Sequence, residues 1–509
     1  MAKKTQTESF TITRKMLTSL SKEKIIDKKF NTGNRIYNRI IKYCKKAAEA
    51  LYADRWYQQC ISSYKKALSK GSEKSADEWY REILSLMEIY GLDKQSVEAY
   101  ADEGRRRSCQ KALNSHIVQK LSYNVFASVK KAVFRNTKIH YRKYRQTCSL
   151  EGKNNKTGII YREKEDIVDA FGLKFRLARI RKKDSYLMEA MRHRVKYCRV
   201  VRKSVNGKYV YFLQLICEGS APAKLIPGKC MTGIDEGIST CAYVSDSKAG
   251  FFVLADGVER YEKEITKWTA IYGRRRRFAN PDCYNEDGTI KKGAKFKNHT
   301  KGMEKALMKL KSSFRKKTTY VKNKHGYDTN RLIEESGLII KEPMNYSSYA
   351  KRSKKKAERK TTSVTMKKSS GEFIQVFKFK KKKRFGKSVN RRSPGLFNSM
   401  LELKAKKYGI PVINVNIRKY KASQYDHVLG EYIKPSLSER VKKVGGKRVQ
   451  RDLYSAFLLW NMQDEKTISQ EKCRDSFPWF LKKQAYVVNK LLRSGEKTRN
   501  FGIREFVNC

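Results

Sequence analysis

The sequence predicts a multidomain chain of mixed α/β and α+β type, and three observations carry that prediction. Short alternating stretches flank a long run of helical periodicity in the first half. In the second half strands alternate with helices around a β-rich stretch, Cys230 to Leu254. With 509 residues and 39% hydrophobic content, the chain is long enough for two to four domains, each with a core.

Taken in order, Glu8 to Arg14 alternates as a strand, and a polar break follows over Ser19 to Lys24. From Lys28 to Tyr144, Ile36, Ile40, Tyr43, Ala47 and Leu51 recur at helical spacing, as do Leu113, Ile117, Leu121, Val125 and Val129. Gly71 to Ala76 and Gly91 to Gln95 read as helix breaks. Arg105, Arg106 and Arg107 lie on a basic face free to meet phosphates. Strands return over residues 152–223, with a hairpin of Tyr197 to Arg202 and Lys208 to Gln214 turned at Asn206-Gly207. Its interleaved aromatic and basic residues suit either an RNA-binding surface or a plain barrel hairpin.

Pro222, Pro227 and Gly228 mark a linker into a strand carrying Asp235, a second over Ser239 to Val244, a turn at Ser245 to Gly250 and a third at Phe251 to Leu254. A helix over Glu259 to Arg277 ends in Arg274, Arg275, Arg276 and Arg277. A polar insertion (Asn280 to Asn298), a basic helix (Lys301 to Asn323) and a strand ending at Glu342 follow. Ser347 to Ser393 is mostly Lys, Arg, Ser and Thr, densest at Lys380, Lys381, Lys382, Lys383 and Arg384; it reads as an arm or lid that orders on nucleic acid. A helix from Phe397 to Tyr408 closed by Gly409, a strand over Ile410 to Asn416 and a helix from Asp452 to Trp460 complete the core elements. The tail from Ser476, with Phe477, Trp479, Phe480 and Tyr486, reads either as a helix on that core or as an RNA-binding tail.

The formal net charge of +65 exceeds what a solvated basic face needs. A polyanion is the expected partner, since each Lys or Arg placed on a phosphate releases condensed counterions. No long apolar segment supports a membrane partner, and MAKKTQTESFTITRKM has no apolar run of the secretory kind. The expected location is the cytoplasm, at the nucleoid in a prokaryote, or the nucleus in a eukaryote. No Cys-x-x-Cys pair exists and the six histidines are scattered, which excludes a zinc ribbon, a redox dithiol and a histidine-based nuclease.

Three acids stand out: Asp235 on the first strand of its hairpin, Glu342 at the end of a later strand, and Asp452 opening an apolar helix. Gly233 to Ile238 (GIDEGI), Ile339 to Tyr346 (IIKEPMNY) and Arg451 to Ala456 (RDLYSA) resemble the three RuvC motifs of transposon-encoded TnpB nucleases and the compact type V CRISPR effectors. Lys404 to Val415 with Ala422-Ser423-Gln424 is similar to the segment joining the second motif to the third, and Phe30 to Arg39 (FNTGNRIYNR) to the start of the family's recognition helices.

The resemblance implies an RNA-guided DNA endonuclease. Its architecture would be an RNase H-like RuvC domain with an N-terminal wedge β-barrel interrupted by a helical recognition lobe. The implied boundaries are 1–24 wedge strand, 25–150 recognition lobe, 151–226 barrel remainder, 227–416 RuvC with its lid, 417–450 a degenerate target-nucleic-acid module, 451–465 the third-motif helix and 466–509 the tail. Asp235, Glu342 and Asp452 would bind two Mg²⁺ ions about 4 Å apart. A guide RNA and double-stranded target DNA, unwound into an RNA–DNA heteroduplex, are the implied partners, with the protein a monomer or, alternatively, a dimer. Ser423, Gln424 and Arg451 would orient the third acid or contact DNA. Glu236 should face away from Asp235, as strand neighbours do, and act as an ion-pair partner. Glu334 and Glu335 compete with Glu342, but they precede the strand.

The chain departs from the family twice. No cysteine lies between 284 and 472, where the family commonly carries a four-cysteine zinc module; only Leu437 to Arg440 and His427 remain as its frame, so a zinc-free remnant is expected. Tyr454 stands where Asn is frequent, which leaves the surroundings of Asp452 open. Two alternatives are guided binding without cleavage and non-guided nucleic-acid packaging.

Overall fold

The computed structural model describes residues 8–108, 112–143, 146–205, 208–350, 364–367, 371–376, 386–416, 420–433, 439–463 and 467–493. The chain divides after Lys224 into two compact units.

In the first unit, β1 (Ser9–Lys15) leads into five helices: α1 (Leu20–Ala53), α2 (Arg55–Lys70), α3 (Glu73–Ile89), α4 (Lys94–Ser108) and α5 (Ser115–Arg135). Strands β2 (Ser149–Glu151), β3 (Ile159–Arg162), β4 (Ile167–Ala170) and β5 (Leu173–Arg176), the short α6 (Ser185–Ala190) and the hairpin of β6 (Val195–Val205) and β7 (Lys208–Glu218) follow. The order β1-β7-β6-β2 makes one antiparallel sheet, and β3-β4-β5 makes a second. The long helical insert therefore separates strands of a single sheet. The expected turn at 206–207 lies outside the described residues.

The polar stretch read as a break over Ser19 to Lys24 is instead a helix start. Ser19 caps α1 by accepting from the Lys22 amide, and its polar first turn faces solvent. A break that periodicity missed falls at Asp54, where no Gly or Pro stands. Its carboxylate accepts from the Trp56 amide (2.7 Å) and the Tyr57 amide (3.3 Å), ending α1 and opening α2. Ile36, Ile40, Leu51, Leu121, Val125 and Val129 pack in one core with the sheet residues Val200, Leu213 and Leu215.

Arg202 is buried between the Phe30 and Tyr209 rings, 4.7 Å from each, and donates to Asp27 (2.9 Å) and the Thr147 carbonyl (3.0 Å). Arg202→Met is expected to cost about 3 kcal/mol, because Asp27 loses its cation and a buried carbonyl its donor. Urea unfolding checks this.

In the second unit, β8 (Cys230–Glu236), β9 (Thr240–Ser245) and β10 (Ala249–Val253) form a meander. After α7 (Val258–Ala279) and α8 (Lys301–Glu335) comes β11 (Ser336–Lys341), and after α9 (Tyr346–Ala350) the small hairpin of β12 (Val364–Lys367) and β13 (Phe373–Val376). Then follow α10 (Gly386–Arg392), α11 (Pro394–Lys407) and β14 (Val412–Asn414). The sheet order is β10-β9-β8-β11-β14; β8–β9 and β9–β10 are antiparallel, while β11 runs parallel to both β8 and β14. In chain order, its strands stand third, second, first, fourth, fifth. Two small hairpins, β15 (Tyr425–Asp426) with β16 (Glu431–Tyr432) and β17 (Val441–Val444) with β18 (Lys447–Gln450), precede α12 (Arg451–Trp460). The short pair β19 (Met462–Gln463) and β20 (Thr467–Ile468) then leads into α13 (Gln470–Arg493).

One sheet face, with Ala242, Val244 and Ile340, packs on α12 through Leu453, Ala456 and Phe457. The other, with Ile234, Cys241 and Ile339, packs on Leu332 and Ile333 of α8 and Phe397 and Leu401 of α11. Helix α8 runs to Glu335 rather than Asn323, because Leu332 and Ile333 bury its last turns. The expected strand over Ile410 to Asn416 shortens to β14. The aromatic tail packs as a helix: Phe480 lies tilted against Phe457 (4.6 Å between ring centres) and Trp479 against Trp460 (5.3 Å). Lys380 to Arg384 lie outside the described residues. Among the described residues no helix is long and apolar enough to cross a membrane.

Candidate active site

Strand register brings the acids together. Side chains alternate across a sheet, so Gly233 and Asp235 of β8 share the α12 face while Ile234 and Glu236 share the other. Gly233 shows how close the helix comes: a Cβ there would stand 2.9 Å from the Leu459 carbonyl carbon, and closer still to the Ala456 oxygen and the Trp460 nitrogen. On β11, Lys341 pairs with Ile234, so Glu342, one residue past the strand, stands beside Asp235 and on the same face as Ile340. Asp452 lies in the first turn of α12, whose N-terminus is capped by the Gln450 side chain accepting from the Leu453 amide (2.7 Å). Gln484 of α13 in turn accepts from the Gln450 amide (2.8 Å).

The electrostatics follow from that placement. Asp235 is held well above the usual carboxylate range, first by desolvation and then by the charges of Asp452 and Glu342, with Arg451 opposing. Desolvation also raises Glu342, while a hydrogen bond from the Ala422 amide opposes it. Asp452 faces two guanidinium groups, Arg451 at 3.4 Å and Arg440 at 3.6 Å. Among the described residues, no three His, Cys, Asp or Glu side chains stand close enough to enclose a metal ion. The three acids meet through their charges, with Asp452 drawn toward arginine. Three hard oxygen donors on neighbouring elements, two of them resisting ionisation, are a donor set whose chemistry fits a divalent cation.

Other expected residues are placed differently. Arg105 and Arg106 pair with Asp102 (3.1 Å each) and Arg107 with Glu103 (2.5 Å) on α4. Arg274 is exposed, but Arg275 donates to the Gly302 carbonyl (2.6 Å), Arg276 to the Tyr284 hydroxyl (2.8 Å) and Arg277 to the Gly288 carbonyl (3.4 Å). Arg276 and Arg277 fasten the polar insertion, and Arg275 ties α7 to the first turn of α8. The Ser423 carbonyl accepts from Lys442 (3.3 Å) and the Gln424 carbonyl from the Ile433 amide (2.8 Å). Glu335 sits at the far end of β11, bound by Ser245 (2.7 Å) and Lys248 (2.6 Å).

Arg440 and Ala422 lie in stretches singled out by sequence, but neither was expected to act on the acids, and Lys442 was not expected in this region at all. Burial pushes Lys442 down to about 8, and its ammonium lies 4.7 Å over the Tyr454 ring. Tyr454 is fully buried in the aromatic core, 2.7 Å from His427 Nδ1. Tyr454 therefore serves packing.

No protein-family model and no curated protein matches the chain. Among solved structures, a Cas12f1–sgRNA–target DNA complex aligns over 89% of this chain and 99% of that one, with 12% identity and a TM-score of 0.43. A CRISPR-Cas12f ternary complex covers 90% and 100% with 14% identity and a TM-score of 0.27. A Cas12i1 R-loop complex covers 93% and 65% with 10% identity and a TM-score of 0.29. All three scores fall below 0.5, and the functional reading rests on this chain's own residues.

Proposed function

We propose that the chain is an RNA-guided DNA endonuclease of the TnpB and compact type V kind. In this reading the five-stranded sheet with α12 is the RuvC module, and the first unit is a wedge barrel interrupted by a recognition lobe. The observation that carries the reading is the placement of acids from three separated segments, Asp235 on β8, Glu342 just past its parallel neighbour β11 and Asp452 in the first turn of α12, with Asp235 raised by burial first and then by the charges of Asp452 and Glu342. Asp235, Glu342 and Asp452 would hold two Mg²⁺ ions, which when bound neutralise phosphate oxygens, activate water and stabilise the leaving 3′ oxygen. Arg440 and Arg451, which now pair with Asp452, would serve as the groups that take a phosphate once metal occupies the carboxylates. The excess of basic residues holds the guide and its paired strand by their backbones, and base pairing reads the sequence.

Guided binding without cleavage is the second reading, favoured by the two arginines on Asp452 and the lack of a three-ligand cluster among the described residues. Co-purified RNA and a matched duplex with Mg²⁺ decide between them. A defined structured RNA with cut DNA supports the endonuclease, and bound but intact DNA supports the second reading. Heterogeneous RNA shed at modest salt contradicts guidance. Binding that is not anchored by base pairing is expected to weaken by about 10³-fold between 50 and 200 mM salt. Filter binding at several ionic strengths checks this.

A further inference from the structure

Directly behind the acid pair, on the opposite sheet face, lies a buried ion pair that the proposed chemistry does not use. Lys341 is 0% exposed and Glu236 2%. Lys341 Nζ stands 3.5 Å from Glu236 and 2.9 Å from Glu402, and it donates to Asn398; the Tyr346 hydroxyl donates to Glu236 at 2.9 Å. Glu236 is the last residue of β8 and Lys341 the last of β11. The β8–β11 ladder ends at the pair Ile234 and Lys341, so Asp235 and Glu342 lie just past its last rung, where only the outer neighbours β9 and the chain after β14 still hold the two strands. Burying such a pair costs desolvation that apolar side chains would avoid, so it is a costly way to gain stability alone. It fixes one geometry. Asn398 and Glu402 lie on α11 and Tyr346 opens α9, so the network also anchors both sequence flanks of the lysine-rich segment to the strands.

We infer that Lys341, with Glu236 and Tyr346, is a positioning group that locks the ends of β8 and β11 in register and keeps Asp235 and Glu342 side by side. The inference rests on the carboxylate-site reading above. Lys341→Met alone strands Glu236 without its cation, so the decisive variant is Lys341→Met combined with Glu236→Gln, which is neutral and similar in volume. In the full chain freed of nucleic acid, that double variant is expected to keep its melting temperature and to bind Mn²⁺ about tenfold more weakly by calorimetry. Amide exchange should accelerate over 230–238 and 336–344 and nowhere else. Tyr346→Phe should shift Mn²⁺ affinity in the same direction by a smaller factor. Unchanged Mn²⁺ affinity with unchanged local exchange overturns the inference. A wild-type chain that binds no Mn²⁺ overturns the carboxylate-site reading instead, and local exchange in the double variant then still decides whether the network holds the strand ends.

Discussion

Asp235→Asn should lower Mg²⁺-dependent cleavage of guide-matched DNA by about 10³-fold or more, a barrier increase of about 4 kcal/mol, while leaving guided binding intact. It should also make the protein more stable. The ionised Asp235 is paid for by the rest of the fold, since desolvation and two acidic neighbours all oppose its charge. The amide keeps the shape and removes the repulsion. For a carboxyl whose folded pKa is raised above its ordinary value of 3.8, the favourable contribution exists below that value and disappears as pH rises through the folded one. The variant's melting temperature should therefore exceed wild type at neutral pH, by about 2–4 °C per kcal/mol recovered, and the gap should close on acidification. Mn²⁺ should narrow the gap by stabilising only the wild type. Thermal scans across pH, with and without the ion, test both halves; a variant less stable than wild type at neutral pH contradicts the electrostatic account.

Gly233→Ala is expected to cost about 3 kcal/mol or more and to abolish cleavage with it. The atoms a Cβ would strike belong to the backbone of α12, at Ala456, Leu459 and Trp460, and cannot rotate aside. The helix must lift, carrying Asp452 away from Asp235. Gly273→Ala on α7 is the control: nothing lies within 4 Å of that position, and alanine there should be neutral or stabilise by up to about 1 kcal/mol. Urea midpoints separate the two. Equal midpoints for both variants would mean that the strand and helix are not in close contact at Gly233.

What the sequence shows and what it hides divide along a physical line. Alternation and helical spacing are local, so the strands around Asp235 and Glu342 and the start of α12 could be read from periodicity, as could the hairpin of β6 and β7. The Asp54 break was hidden because a carboxylate cap interrupts no apolar stripe. The last turns of α8 were hidden because their burial depends on α11. Arg275, Arg276 and Arg277 look like phosphate ligands in a run of four, and the sequence alone does not show that each also donates within the fold, to Gly302 of α8, Tyr284 and Gly288. The opposite face of Glu236 follows from strand alternation, but its partner Lys341, far away in sequence, follows only from the parallel register of β8 and β11. Arg440 reaches Asp452 from outside the helix that carries it.

Locating Mn²⁺ by anomalous scattering in a complex with guide and matched DNA tests the whole account most directly. The account predicts metal between the carboxylates of Asp235, Glu342 and Asp452, with Arg440 and Arg451 moved from Asp452 onto a phosphate. Metal bound elsewhere, or the three carboxylates still apart around an empty space, would contradict it.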